Sequence, residues 1–298
     1  DLADDGTVVQ GCGRFETYLL ASDAASPIID VAMSGDLGMS GFTTDGGTDA
    51  VTIRGDGSGW VEYVNVDNSS GTGIKVSGAN TVAVLQSVTV STPVVGAACG
   101  WGVHVDQASI IMSASTVVGA TEVAVMVDGG TGWFDNVSIE DTIPNFAAEL
   151  GRGIHAQDSW VVVANSNFLG NADASIFFLN PNGGVINAIV IDHTDAGLIG
   201  GGVNTGDGIV IIGSPINGNG IIVRDSNLQD NDRTALLVEE AKVFLKGNLA
   251  FGTGLFPVLG SHAYCQGVGN QISGPQAGEV FDLGATPLDL NRNYLTCP

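Results

Sequence analysis

Short runs of alternating apolar residues return along this chain about every 22 residues, and that repetition limits its possible folds more than any other property. The segments GIKVSG at Gly73, GVHVDQ at Gly102, VAVMVDG at Val123, GIHAQD at Gly153, SIFFLN at Ser175, GIVIIG at Gly208 and ALLVEE at Ala235 align on one another. A second strand follows each, as in VAVLQSVTV from Val82, IIMSASTVV from Ile110, WFDNVSI from Trp133 and IIVRDSNL from Ile221. A small polar residue then precedes a third apolar position, as in Asn165-Ser166-Asn167-Phe168 and Asp225-Ser226-Asn227-Leu228. The aligned residues Ile74, Val103, Val125, Ile154, Ile176, Ile209 and Leu236 are 29, 22, 29, 22, 33 and 27 apart.

A turn of this length, sometimes lengthened by a loop, fits a three-sided coil of short parallel strands. Coils stack about 4.8 Å apart and pair their backbones with the next coil. Inward Ile, Val and Leu ladders form the core, and Gly, Asn and Asp at the corners tolerate the left-handed φ that a sharp turn demands. The fold expected is all-β, a parallel solenoid of about nine coils and roughly 40–45 Å. Residues 28–254 form the coil, with an N-terminal cap over 1–27 and a C-terminal cap over 255–298 that hide unpaired strand edges. Helical periodicity is limited to two short hints, at 145–150 and 236–242.

A longer period overlies the coil. Thr92, Thr142 and Thr194 are 50 and 52 apart, and Gly102, Gly153 and Gly208 are 51 and 55 apart. Between each Thr and its Gly lies an insertion, at 93–101, 143–152 and 195–207. Every second coil therefore carries a long loop on one side, either to bear function or to shield a face.

Composition excludes several classes. With nine Lys+Arg against 32 Asp+Glu, a net charge of −23, the chain lacks the basic clusters needed to bind nucleic acid or dock on anionic lipid. No apolar run reaches a membrane span. Cys12, Cys99, Cys265 and Cys297 include no CxxC pair, and no His stands at zinc-finger spacing. An even cysteine count with few lysines fits a secreted or cell-surface chain. Three pairings are open; proximity in the C-terminal cap favours Cys265 with Cys297, leaving Cys12 with Cys99, and four free thiols are the alternative.

These repeats resemble the right-handed parallel β-helix superfamily of pectate lyases and tailspikes over residues 28–254. Within that group they are most similar to secreted bacterial surface proteins with β-helix repeats. The features shared with those proteins are Val8-Val9-Gln10-Gly11-Cys12-Gly13-Arg14 and the turns Gly100-Trp101-Gly102-Val103 and Gly151-Arg152-Gly153-Ile154. The resemblance implies a right-handed coil. It does not fix an activity, because the fold hosts lyases, hydrolases, adhesins and inert stalks.

A pectate-lyase-like enzyme would need an Arg or Lys base on an exposed strand beside Ca²⁺-holding carboxylates. Strand parity turns Lys75, His104, Met126, His155, Phe177, Val210 and Leu237 outward on the first sheet, a row without Arg or carboxylate. A glycosidase would need two carboxylates at defined separation. Asp106 and Asp128 occupy matching positions and Asp158 stands close to their column. They are the candidates for catalysis, and alternatively an acidic turn ridge or weak Ca²⁺ site. No other cofactor is read from the sequence. Asp225, Asp230, Asp232 and Arg233 read as turn chemistry.

The same parity turns Ile111, Trp133, Val162, Val185, Ile222 and Phe244 outward on the second sheet, and Phe177 and Leu237 continue an apolar row on the first. Trp60, Trp133 and Trp160 could line a sugar site, although Trp60 reads as isolated. The function expected is structural or adhesive, with this surface meeting other copies or other surface proteins. The alternative is a polysaccharide-active enzyme or a carbohydrate-binding coil.

Overall fold

The structure is a computed structural model describing residues 7–21, 25–91, 100–145, 150–192, 194, 198–199, 203–204, 206–213, 220–251, 256–261, 263–273, 281–282 and 294–296. Three parallel sheets run its length, numbered here in the order the chain visits them. In one coil, sheet 1 takes Ile74–Ser77, sheet 2 takes Thr81–Gln86 and sheet 3 takes Thr89–Ser91. The next coil places Val103–Asp106, Ser109–Ser113 and Thr116–Val118 on top of them in register.

Nine complete coils of this kind fill residues 29–251, as the repeat predicts. The sheets also continue into both expected caps. Thr7–Gln10 and Tyr18–Leu20 pair with the first coil, and Tyr264–Val268 and Gln271–Ser273 extend the last. Sheets 1, 2 and 3 therefore reach 11, 11 and 12 strands.

The described residues contain no helix, so none is long and apolar enough to cross a membrane. The helical hint at 236–242 is strand: Leu236 and Leu237 lie in Thr234–Glu239, and Lys242 opens Lys242–Lys246. Parallel partners on both sides overrode local preference there. Most of the hint at 145–150 lies outside the described residues.

Alternation does the sorting. Ile74, Val103, Val125, Ile154, Ile176 and Ile209 stack as one fully buried ladder of sheet 1. Phe134, Phe168 and Phe178 are among the largest fully buried side chains of the core. Gly132 makes room for one of them, since a methyl group there would come within 2.6 Å of the Phe134 ring.

The corner from sheet 2 to sheet 3 bends through one residue of positive φ in each coil. Gly41 holds it in the first coil, Tyr63, Ser87, Ala114, Asn136, Asn165, Ala188 and Asp225 in the next seven and Gly247 in the ninth, and Gly269 repeats it beyond. After Ala114, Asn165 and Asp225 the next residue is a serine that turns inward and satisfies corner backbone, whereas after Tyr63, Ser87, Asn136 and Ala188 it is a buried Val or Ile. Ser115 Oγ accepts from Val88 N at 3.0 Å and donates to Ser113 O at 2.7 Å. Toward the C-terminus asparagine takes over. Asn248 Oδ1 accepts from Ser226 N at 3.1 Å, its Nδ2 donates to Val223 O at 2.9 Å, and Asn270 Oδ1 accepts from Asn248 N at 3.0 Å.

Asn248→Ala would leave a buried amide and a buried carbonyl without these partners. A loss of about 1–3 kcal/mol is expected in urea unfolding, with retained β-sheet circular dichroism.

Candidate functional site

The outward positions of sheet 2 form three columns. In the middle column, Trp60, Val84, Ile111, Trp133, Val162, Val185, Ile222 and Phe244 lie opposite one another on successive strands, without a polar interruption. Trp60 and Trp133 are 51% and 54% exposed, and Ile111 and Ile222 are also exposed. Val84, Val162, Val185 and Phe244 are half-buried.

Trp60 is thus the first rung of the row rather than an isolated residue. It stands between inward Gly59 and Val61, and the alignment of Val61 with Leu85 carries that register in the sequence. Trp160 is exposed in the neighbouring column, opposite Thr131. A shallow hollow of about 350 Å³ lies beside the row, lined by Trp160, Gly184, Val185, Gly220, Ile222, Lys242 and Phe244.

The third column carries the charge. Glu62, Gln86, Ser113, Asp135, Ala164, Asn187, Arg224 and Lys246 follow one another in it. Acid therefore marks the N-terminal part of this face and base the C-terminal end, where Lys242 also stands. Glu62 Oε1 accepts from Trp60 Nε1 at 2.9 Å, and Asn165 Nδ2 donates to Asp135 Oδ1 at 2.7 Å.

Sheet 1 behaves differently. Its outward row has the predicted register, Lys75, His104, Met126, His155, Phe177, Val210 and Leu237. Yet Met126, His155 and Val210 keep only 9%, 9% and 3% exposure. The C-terminal residues of two insertions pack on this row. Trp101 meets His104 edge-on with ring centres 4.5 Å apart, and its Nε1 donates to Glu122 at 3.1 Å. Arg152 lies 3.5 Å from the centre of the Phe177 ring and contacts His155 Nδ1 at 3.3 Å. Of the row continuing onto this sheet, Phe177 and Leu237 are half-buried.

Sequence reading missed the ionic fastening of these insertions. Arg152 Nε donates to Asp173 at 2.7 Å, while Arg233 and Thr234 Oγ1 both hold the buried Asp207 carboxylate. Arg233 stands in sequence beside Asp230 and Asp232, but its partner Asp207 comes from the preceding coil. The position of the arginines at the start of sheet 1 strands, Arg152 as first residue of Arg152–Gln157 and Arg233 just before Thr234–Glu239, is the signal in the sequence.

Asp106 and Asp128 are opposite each other on adjacent strands, and the column continues to Gln157. Asp158 sits one residue further, at the corner with φ 48, so it is outside their column. Among the described residues no three His, Cys, Asp or Glu side chains converge as a metal site. Cys12 is exposed and its thiol free. Cys99 and Cys297 lie outside the described residues, as does the Cys265 side chain. No family model, curated protein or solved structure matches this chain.

Burial, reinforced by Arg152, pushes His155 down to about 3. Burial also lowers His104, with Lys75 acting in the same sense and Asp106, Asp128 and Asp49 opposing it. Folded His155 stays neutral where the unfolded chain takes up a proton, so acid favours unfolding between pH 6.5 and about 3. The wild type should therefore lose about 2 kcal/mol more than His155→Gln when urea unfolding at pH 4.5 is compared with pH 7.

Proposed function

We propose that this protein is an extracellular structural or adhesive coil, secreted or held at a cell surface. The outward face of sheet 2 packs against other copies or against other surface proteins. A right-handed winding and kinship with the pectate-lyase-like β-helices belong to the same reading, which rests on the repeat and its glycine turns.

The observation that carries it is the contrast between two faces of one coil. Sheet 1 turns apolar residues outward, yet Met126 and Val210 are buried and Arg152 lies over Phe177. Sheet 2 turns out a longer apolar row and leaves both Trp60 and Trp133 about half exposed. Contiguous apolar surface of this kind marks an interface, whereas single exposed residues do not.

A second reading draws on the hollow between Trp160 and Phe244. Aromatic walls, a glycine floor and Lys242 suit a sugar carrying an acidic group, and the face would then bind a polysaccharide.

Light scattering after size exclusion tests the first reading. The wild type is expected to exceed the mass of one chain at tens of micromolar, and Trp133→Asp to run as a folded monomer. A monomeric wild type, or an unchanged mass for Trp133→Asp, would overturn it. Acidic polysaccharide that binds a monomeric wild type would favour the second.

A further inference from the structure

We infer that the partner of the sheet 2 face is a second copy of this chain, laid across it with the two coils antiparallel. This rests on the self-association just proposed and adds the partner and its register.

The apolar row has a midpoint between Trp133 and Val162. A two-fold axis there, parallel to the strands, reverses the coil and lays the whole row on itself. Trp60 of one copy meets Phe244 of the other, and Trp133 meets Val162. Because the axis follows the strand direction, each column faces its own counterpart. Glu62 then faces Lys246, while Asp135 faces Ala164 and Arg224 faces Gln86. No directly opposed pair of the third column brings like charges together; the two Asp135 carboxylates flank the axis one rung apart, each facing Ala164.

The parallel alternative has its two-fold along the coil axis and keeps each rung opposite itself. The third column then faces the first, so Lys246 meets Lys242. Arg224, Lys242 and Lys246 of both copies would gather at one end. These are three of the nine basic residues of the chain, all within two adjacent rungs. Charge arrangement thus selects the antiparallel form, as like charges brought together oppose a contact.

The area is adequate. Eight rungs about 4.8 Å apart and a strand width of about 15 Å give about 600 Å² per copy, and the flanking rungs bring it near the 800 Å² of an ordinary specific interface. An isologous contact of this form closes as a dimer and does not propagate.

Charge reversal across the predicted pair is the test, read by sedimentation equilibrium at low salt. Glu62→Lys places two lysines together and Lys246→Glu places two glutamates together. Each occurs twice in the dimer, so each single variant should weaken association about tenfold. The double variant restores the pair with its signs exchanged and should return to near the wild-type affinity. Added salt should shrink the difference between single and wild-type proteins. Singles that bind as tightly as wild type, or a double variant weaker than either single, would overturn the antiparallel register while self-association stands. A monomeric wild type would remove both proposals. Circular dichroism on all variants confirms that these surface changes leave the coil folded.

Discussion

Backbone pairing between successive coils at one parity is the interaction on which everything else in this molecule depends. Each strand hydrogen-bonds to the strand above and below and carries few bonds within its own coil. A slip by one residue would exchange the buried Ile and Val ladders for the outward columns. The outward columns are therefore fixed by the same register that builds the core. The apolar row on sheet 2 persists because the inward Val61, Leu85, Met112, Phe134, Val163 and Ile186 hold their places beside it.

The corners make that register possible where the described residues form no helix. Where sheet 2 passes to sheet 3 one left-handed residue turns the backbone, and in several coils a buried Ser or Asn beside it binds groups that the bend leaves open. Side-chain bonds thus continue the stack where strand pairing stops, as buried backbone groups require. The ionic fastenings do similar work for the insertions. Asp173 and Asp207 tie Arg152 and Arg233 to the edge of sheet 1, which places Arg152 over Phe177 and His155. The coil keeps one apolar face under its own chain in this way and leaves another open.

Much of this was legible in the residues. The repeat carried the three-sided coil, its nine complete turns and the outward parity of both sheets, since period-2 alternation survives in nearly every strand. Coverage was less legible. Whether Phe177 or Trp133 ends exposed depends on which residue of another segment packs over it, and alternation says nothing about a loop's path. The Asp207–Arg233 pair was hidden for a related reason, because its members are 26 residues apart and meet only when the coil closes. The 236–242 segment misled in the opposite direction, since Leu, Glu, Ala and Lys favour helix until sheets on both sides claim them.

The central claim is that sheet 2 offers an open apolar face that association covers. Three of the four tryptophans, Trp60, Trp133 and Trp160, stand on that face, and the fourth, Trp101, rests against His104 on sheet 1. Acrylamide quenching of tryptophan emission over a range of protein concentrations therefore reads the face directly. The account predicts red-shifted, readily quenched emission in dilute solution, turning blue and protected as concentration rises. Emission that stays red and equally quenchable at every concentration would contradict it.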